Sequence, residues 1–407
     1  MARKMKDSGI EWIGEIPEGW ELTKVKRIFD IGRGRVISQQ ELTSVGYPVY
    51  SSQTKNNGCL GYISTYDFDK SQLTWTTDGV NAGTVFLREG KYNCTNVCGT
   101  LAPKNDTNDL RYLKYALEYI AFYHKRADIN GFKIMNNEMA EIELLLPPLF
   151  EQQNIANYLD FKCSQTQSIL EQSLFSIEEY KKLKQAVITQ AVTKTIYDDF
   201  GNPSKFRKLR SLCDVLSKGT TPKDIETQND EFYCIRYLKS ENIVSNQLNL
   251  NPTFFITAET NNSLERSKLN SGDILFVIAG ASIGKVAITT ADFLPANTNQ
   301  AVAFIRLSSS YQYATKYIWY FLQSDVVKQL IALSAVQSAQ PNLSLEDLGA
   351  MRLPLPDQMG CLKITDYLDA KCAEIDKLIA KKEQLVKELE SYKKSLIYEV
   401  VTGKREV

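Results

Sequence analysis

The feature that most narrows what this chain can fold into is that it repeats itself. Tyr158-Leu-Asp-Phe-Lys-Cys163 returns as Tyr367-Leu-Asp-Ala-Lys-Cys372, 209 positions further on. The offset holds without a gap: Leu146-Pro147 falls on Leu355-Pro356, Ile155 on Ile364, Ile177 on Val386, Ile188 on Ile397 and Val192-Thr193 on Val401-Thr402. A phase kept over that distance is a duplication. Both copies are rich in Lys, Glu, Gln and Leu, lack Gly through their middles, and are entered through Pro, which suits a helix start. Each predicts one long helix, over 150–199 and over 353–407.

Apolar residues recur along these helices mostly at steps of three or four. In the first, Ile155, Leu159, Leu170, Leu174, Ile177, Leu183 and Val187 form the expected seam; in the second, Ile364, Leu368, Ile375, Ile379, Leu385, Leu389 and Leu396 do. One apolar stripe needs a partner. Two matching seams in one chain can bury each other as an antiparallel coiled coil, the alternative being that each helix packs on its own globular neighbour. About 44 residues at ~1.5 Å rise give a rod of roughly 65 Å.

The blocks 1–149 and 200–352 differ from the helices and resemble each other. Short β-branched and aromatic runs, such as Tyr47–Tyr50, Leu73–Thr77, Asp273–Ile278 and Ala301–Arg306, alternate with Gly, Asn, Asp, Ser and Thr clusters. That is the mark of short strands joined by turns. Each block ends in a short aromatic helix, Leu110–Tyr123 or Tyr313–Gln323. Gly79-x-x-x-Gly83-x-Val85 corresponds to Gly280-x-x-x-Gly284-x-Val286, and Thr95-Asn96 to Thr298-Asn299. The fold class expected is α+β: two similar globules separated by two long helices, with internal pseudo-two-fold symmetry.

Composition removes several function classes. The chain has eight Cys with no C-x-x-C pair and a single His, His124, so zinc of ordinary spacing and any two-histidine mechanism are unexpected. No run approaches the ~18–20 apolar residues of a membrane span, and Met1–Gly19 is polar. A soluble, cytoplasmic protein without a membrane partner is expected. Lys+Arg and Asp+Glu both number 48, a balance that at first speaks against nucleic acid.

The opening Lys6-Asp-Ser-Gly-Ile-Glu-Trp-Ile-Gly-Glu-Ile-Pro-Glu-Gly-Trp20 resembles the usual start of specificity subunits of type I restriction–modification systems. Leu146-Pro-Pro-Leu-Phe-Glu-Gln-Gln153, Gln340-Pro-Asn-Leu-Ser-Leu-Glu-Asp-Leu348 with Leu353-Pro-Leu-Pro356, and the ending Val400-Val-Thr-Gly-Lys404 resemble the same family's junctions and helix end. The resemblance covers essentially the whole chain. It departs where Phe132-Lys-Ile-Met-Asn136 stands in place of the second half's Pro341-Asn-Leu-Ser344. The resemblance implies a non-catalytic subunit without cofactor. Two target recognition domains (1–149 and 200–352) would each read one part of a split double-stranded DNA target. Two conserved helices (150–199 and 353–407) would hold them apart and dock two methyltransferase subunits, with restriction/translocase subunits joining in the full complex.

The charge objection dissolves locally. Lys24, Lys26, Arg27, Arg33 and Arg35 stand against Asp30 alone between 24 and 35, and between 205 and 223 Lys205, Arg207, Lys208 and Arg210 lead six cations against Asp214 alone. Such runs suit phosphate contacts, although a solvated charged face has the same composition. Base reading needs side chains with donors or acceptors on loops. Candidates are Lys55, Asn56, Asn57, Asp78, Asn81, Asn93, Thr95 and Asn96 in the first block, and Arg236, Lys239, Asn242, Ser282, Lys285, Asn297 and Gln300 in the second; the same residue types also build turns.

Several enzyme patterns come close without completing. Gly280-Ala-Ser-Ile-Gly-Lys285 has its second Gly one residue early for a phosphate loop and Val286 where Ser or Thr belongs, so a tight turn is expected. Asn251-Pro-Thr-Phe254 lacks the second Pro of an adenine methyltransferase motif. Asp357 and Asp369, twelve residues apart in a helix, would lie ~18 Å apart. Cys94 and Cys98 read as small buried residues. A methyltransferase in its own right and a coiled-coil adaptor without DNA contact remain the alternative functions.

Overall fold

The computed structural model describes residues 3–11, 13–129, 131–194, 206–335 and 342–407. Two long helices run Leu149–Thr193 and Gln358–Val401. Leu353, expected in the second helix, lies instead in a strand, Arg352–Pro354. Pro354 and Pro356 lack the amide donors a helix would use there. The chain divides into two compact units: unit one is Met1–Leu174 with Gln384–Val407, and unit two is Phe175–Glu383. Both long helices are cut by that division, so each unit owns the start of one helix and the end of the other.

The main strands of unit one are β1 (Glu21–Lys24), β2 (Phe29–Arg33), β3 (Tyr47–Tyr50), β4 (Cys59–Ile63), β5 (Gln72–Thr76), β6 (Val85–Arg88), β7 (Asn93–Cys94), β8 (Cys98–Pro103) and β9 (Glu143–Leu146). They form an antiparallel sheet β2-β8-β5-β6, a sheet β7-β3-β4 whose β7–β3 pair is parallel, and the pair β1·β9. Unit two has β10 (Phe206–Lys208), β11 (Cys213–Lys218), β12 (Tyr233–Leu238), β13 (Phe255–Thr257), β14 (Ile274–Val277), β15 (Val286–Ile288), β16 (Ala296–Thr298), β17 (Val302–Leu307) and β18 (Arg352–Pro354). Each has the neighbours and direction of the strand nine numbers earlier: β11-β17-β14-β15, β16-β12-β13 with β16–β12 parallel, and β10·β18. The duplication therefore covers the globules as well as the helices.

An aromatic helix fastens each sheet to the long helices. In unit one it is Leu110–His124, N-capped by Asp109, whose carboxylate accepts from the Arg111 and Tyr112 amides; His124 ends it, exposed. In unit two it is Thr315–Leu322, starting later than expected because Ser309–Ala314 is a 3-10 turn. Buried Tyr112 donates to the Leu145 carbonyl and buried Tyr317 to that of Pro354, both at 2.7 Å. Tyr115 donates to Asp160 and Tyr320 to Asp369, each at 2.8 Å. Arg111 and Lys316 add the matching ion pairs to the same two carboxylates.

Burial sharpens the helical seam into a strict heptad. From Gln152 to Ala191, alternating steps of four and three land only on buried or half-buried residues, and the same steps from Cys361 reach Val400 with the same result. Every position in one series falls on the other at the 209 offset. Leu174 and Leu183, expected on the seam, are exposed. Ser173 and Lys184 hold those layers, because a seam is fixed by its 3.5-residue period and not by the most apolar neighbour. Lys184 keeps its stem in the seam and its ammonium 2.6 Å from Asp376 within unit two.

Both expected burial modes for the helices are realised. Ile155, Leu159, Cys163, Leu396 and Val400 join Trp20, Trp75 and Leu117 in the core of unit one. Ile188, Val192, Leu368 and Cys372 join Phe276, Ile305 and Phe321 in that of unit two. The opening and closing motifs meet in unit one: a Cβ at Gly403, φ +71, would collide with Pro17, and the Trp20 indole donates to Glu151 at 2.8 Å.

Candidate nucleic-acid interface

Strand pairing gathers the loops onto one edge of each four-stranded sheet. In unit one β2 and β5 end, and β8 and β6 begin, at the same edge. The turns that follow or precede them, near 34–36, 77–84 and 95–97, are joined there by the 51–58 turn after β3. Asn81 Nδ2 donates to Thr54 Oγ1 at 3.2 Å and Thr95 Oγ1 to Ser51 Oγ at 3.1 Å, stitching the loops together. Unit two has the same edge, built from loops near 219–223, 239–242, 279–285 and 299–301. One glycine in each unit makes the crossing possible: a Cβ at Gly34 would collide with the Cys94 carbonyl, and one at Gly219 with that of Thr298.

This edge collects many of the sequence candidates. Arg33, Arg35, Lys55, Asn56, Asn57, Asp78, Asn81 and Asn96 lie on it in unit one, and Lys239, Ser282, Lys285 and Gln300 in unit two. Lys218 and Lys223, which stand out in the sequence only as part of a charge run, belong here too. The signal that could have found them is the alignment of β11 with β2, which puts Lys218 where Arg33 stands.

Other candidates lie elsewhere. Five residues of β2 carry the chain roughly 16 Å, so Lys24, Lys26 and Arg27 sit at the opposite edge from Arg33 and Arg35. There Lys24 and Lys26 bind Glu141 at 2.7 and 2.5 Å, and these two cations pull its carboxyl down to about 2. Arg207, Lys208 and Arg210 precede β11 in the same way, and Arg210 donates inward to the Leu216 carbonyl. Arg236 is inside β12, bound to the Asp292 carbonyl at 2.6 Å. Lys205 lies outside the described residues.

Four candidates are corrected by burial. Asn93 donates to the Thr65 carbonyl, Thr95 to Ser51, and Asn297 to Asn261 and the Leu264 carbonyl. Buried Asn242 accepts from the Lys239 amide at 2.9 Å and donates to the carbonyls of Asn249 and Pro252 at 2.8 and 2.7 Å. These side chains are buried and turn hydrogen bonds inward to hold loops, which keeps them from the surface where a base would lie.

The cations on the two edges differ in freedom. Arg35 is held by Asp67 at 3.0 Å and Glu41 at 3.3 Å. Lys218, Lys223, Lys239 and Lys285 form no ion pair among the described residues, and neither do Arg33 and Lys55. Lys239 lies over the Phe254 ring, 3.6 Å from its centre.

The near-motifs resolve into structure. Gly280 and Gly284, φ +87 and +89, close the β14–β15 turn, as Gly79 and Gly83, φ +90 and +89, close the β5–β6 turn. Phe254 stacks under Lys239, while Asp357 accepts from the Gly360 amide and Asp369 from Tyr320. Among the described residues no group of three or more His, Cys, Asp or Glu is placed to hold a metal, and no helix is long and apolar enough to cross a membrane.

Known proteins share this arrangement. Residues 17–179 and 202–388 match the family model of the type I restriction modification DNA specificity domain. S.MpnORF507P of Mycoplasma pneumoniae is 32% identical over 286 residues, 67% of this chain and 70% of that protein. The type I restriction enzyme MjaVIII specificity subunit of Methanocaldococcus jannaschii is 25% identical over 413 residues, 96% and 93% of the two chains. A chain in a solved structure of type I R-M complex assembly has the same fold, with TM-score 0.71 over 96% of this chain and 99% of that one at 13% identity. The HsdS subunit from Thermoanaerobacter tengcongensis follows at 0.51 over 96% and 98%, with 14% identity. With two family matches and one topology built twice, the chain belongs to the type I restriction–modification DNA specificity family, as a specificity subunit and not a catalytic one.

Proposed function

We propose that this chain reads a two-part, asymmetric DNA target, unit one taking one part and unit two the other, each through its loop edge. The observation that carries this reading is one strand topology repeated in both units with different side chains on the same edge. Equal scaffolds give equal presentation; unlike residues at Asn56, Asn57 and Asn81 against Lys239, Ser282 and Gln300 give unlike base preferences. The unpaired lysines supply phosphate contacts.

In the same reading the long helices fix the spacing and carry two methyltransferase subunits. Support comes from exposed apolar residues that recur at the 209 offset, Phe150 with Met359 and Ile169 with Leu378, offering two identical partners two equivalent faces. Two experiments test the reading, both mapping modified bases in DNA from cells carrying the chain and its methyltransferase. Exchanging 200–352 for the same region of a relative is expected to change one part of the target only; a change in both parts defeats the assignment. Inserting one heptad after Ile177 and one after Val386 keeps the seam in phase and adds about 10 Å. The gap is then expected to grow by about three base pairs with both parts unaltered, and altered bases inside either part would refute the spacing role.

A further inference from the structure

Unit one contains a buried arginine that no carboxylate neutralises. Arg88, the last residue of β6, is 2% exposed and forms no ion pair among the described residues. Its guanidinium lies between two rings, 3.6 Å from the centre of Tyr50 and 4.2 Å from that of Phe86. Ring faces are the modest substitute for a counter-ion here. Burial of this kind is costly and pushes the pKa of Arg88 down.

What the guanidinium does there is hold a turn. Nη1 donates to the Asn57 carbonyl at 2.8 Å while Nε donates to Thr74 Oγ1 at 3.2 Å, so the fork ties the central strand β5 to the 51–58 turn. That turn needs holding. Asn56, Asn57 and Gly58 are consecutive left-handed residues, φ +50, +52 and +80, a conformation unfavourable for the two asparagines. A Cβ at Gly58 would come 2.8 Å from Arg88 Nη2, so the turn backbone lies directly on the guanidinium. Asn81 pins the other side through Thr54. The side chains of Lys55, Asn56 and Asn57 are left exposed on the loop edge.

Unit two solves the same problem differently. The residue aligned with Arg88 through the two Gly-x-Val turns is Thr289, which donates to the carbonyls of Asn270 and Asp273. Its 239–242 turn is held from within by Asn242. The arginine is therefore a device of one unit.

We infer that Arg88 is a positioning residue for sequence discrimination: through the Asn57 carbonyl it fixes the turn that presents Asn56 and Asn57 to the bases. This rests on the DNA-reading role proposed above. The assembled complex with its methyltransferase partner is assayed on a randomised duplex library, comparing base preference at every target position. Arg88→Met keeps bulk and removes both donors. It is expected to relax preference about tenfold or more at positions in one target part, the order of discrimination that one bidentate base pairing supplies, and to leave the other part unchanged. Arg88→Lys, which keeps the cation but not the fork, is expected to relax the same positions less. A purely structural arginine would lower activity on all sequences with the preference intact, and that result overturns the inference, as does relaxation in both parts. Should Arg88→Met not fold, Gly58→Ala, whose methyl would press on Arg88 Nη2, displaces the same turn and is held to the same two outcomes. Asn56→Ala with Asn57→Ala separates the two layers. If that pair changes preference and Arg88→Met does not, the inference falls and the reading of the turn stands; if neither changes it, both fall.

Discussion

The loop edges of the two units share a scaffold and differ in what their charges are free to do. On unit one Arg35 is tied to Asp67 and Glu41, and the Asn56–Asn57 turn is tied to Arg88. On unit two Lys218, Lys223, Lys239 and Lys285 have no acidic partner among the described residues. Both edges carry a braced turn, but among the described residues unit one has one cation of its edge compensated and two, Arg33 and Lys55, unpaired, whereas unit two has four unpaired lysines. A zero net charge conceals this, because it sums over paired and unpaired groups alike. The lesson is that discrimination and electrostatic affinity need not be shared equally between two halves of a duplicated reader.

The largest expected effect breaks that comparison directly. Replacing Lys218, Lys223, Lys239 and Lys285 by Gln in the assembled complex should lower DNA affinity by orders of magnitude at low salt. It should also flatten log K against log salt by up to ~0.9 for each phosphate no longer neutralised. Arg35→Gln on unit one should leave the slope nearly unchanged, since its charge is already compensated. Equal slopes for the two sets, measured by titrations at several salt concentrations, would erase the distinction.

A smaller effect should be the same in both units. Tyr112→Phe and Tyr317→Phe each strip the donor from a buried carbonyl, at Leu145 and Pro354, for a loss of ~1–3 kcal/mol. Denaturant unfolding that found one costly and the other neutral would mean the aromatic anchor is not equivalent across the repeat.

The seam offers a weaker asymmetry to sharpen. Lys184 meets Asp376, whereas its repeat mate Lys393 meets Gln167 at 3.4 Å, and 167 is the position equivalent to 376. Gln167→Asp should complete the second ion pair and add up to ~1 kcal/mol, with Asp376→Asn removing a similar amount; both pairs are part-exposed and screened. Thermal melts at low and high salt would check the sign.

Least in size is a pH effect at the far edge of unit one. Lys24 and Lys26 lower Glu141 from the ordinary 4.5 to about 2. A depressed carboxylate contributes stability above its unfolded value, and that contribution is lost as pH falls from about 4.5 through about 2. Glu141→Gln should flatten the stability profile in that window and nowhere else.

Much of the fold was legible because it is periodic. Tyr47–Tyr50 is the strand its Tyr-Pro-Val-Tyr run predicts, and Gln72–Thr76 lies within one residue of its expected place. The Gly-x-x-x-Gly spacing located two equivalent turns because only glycine adopts their positive φ cheaply. The site was less legible. Asn56 and Asn242 are the same residue type in comparable turns, yet one is exposed and the other buried, and composition cannot tell a turn former from a group facing outward. The run from Lys24 to Arg35 looks like one patch in the sequence; a strand passing through its middle makes it two.

The sequence by itself determined the duplication, the presence of two long helices and the family, because heptads, prolines and glycines act locally and leave periodic traces. Only the tertiary structure decided which cations share an edge, which are neutralised, and that Arg88 supports Asn57 from 31 residues away. Those depend on strand order and burial, where partners distant in sequence are brought within hydrogen-bond reach, and no local pattern records such meetings.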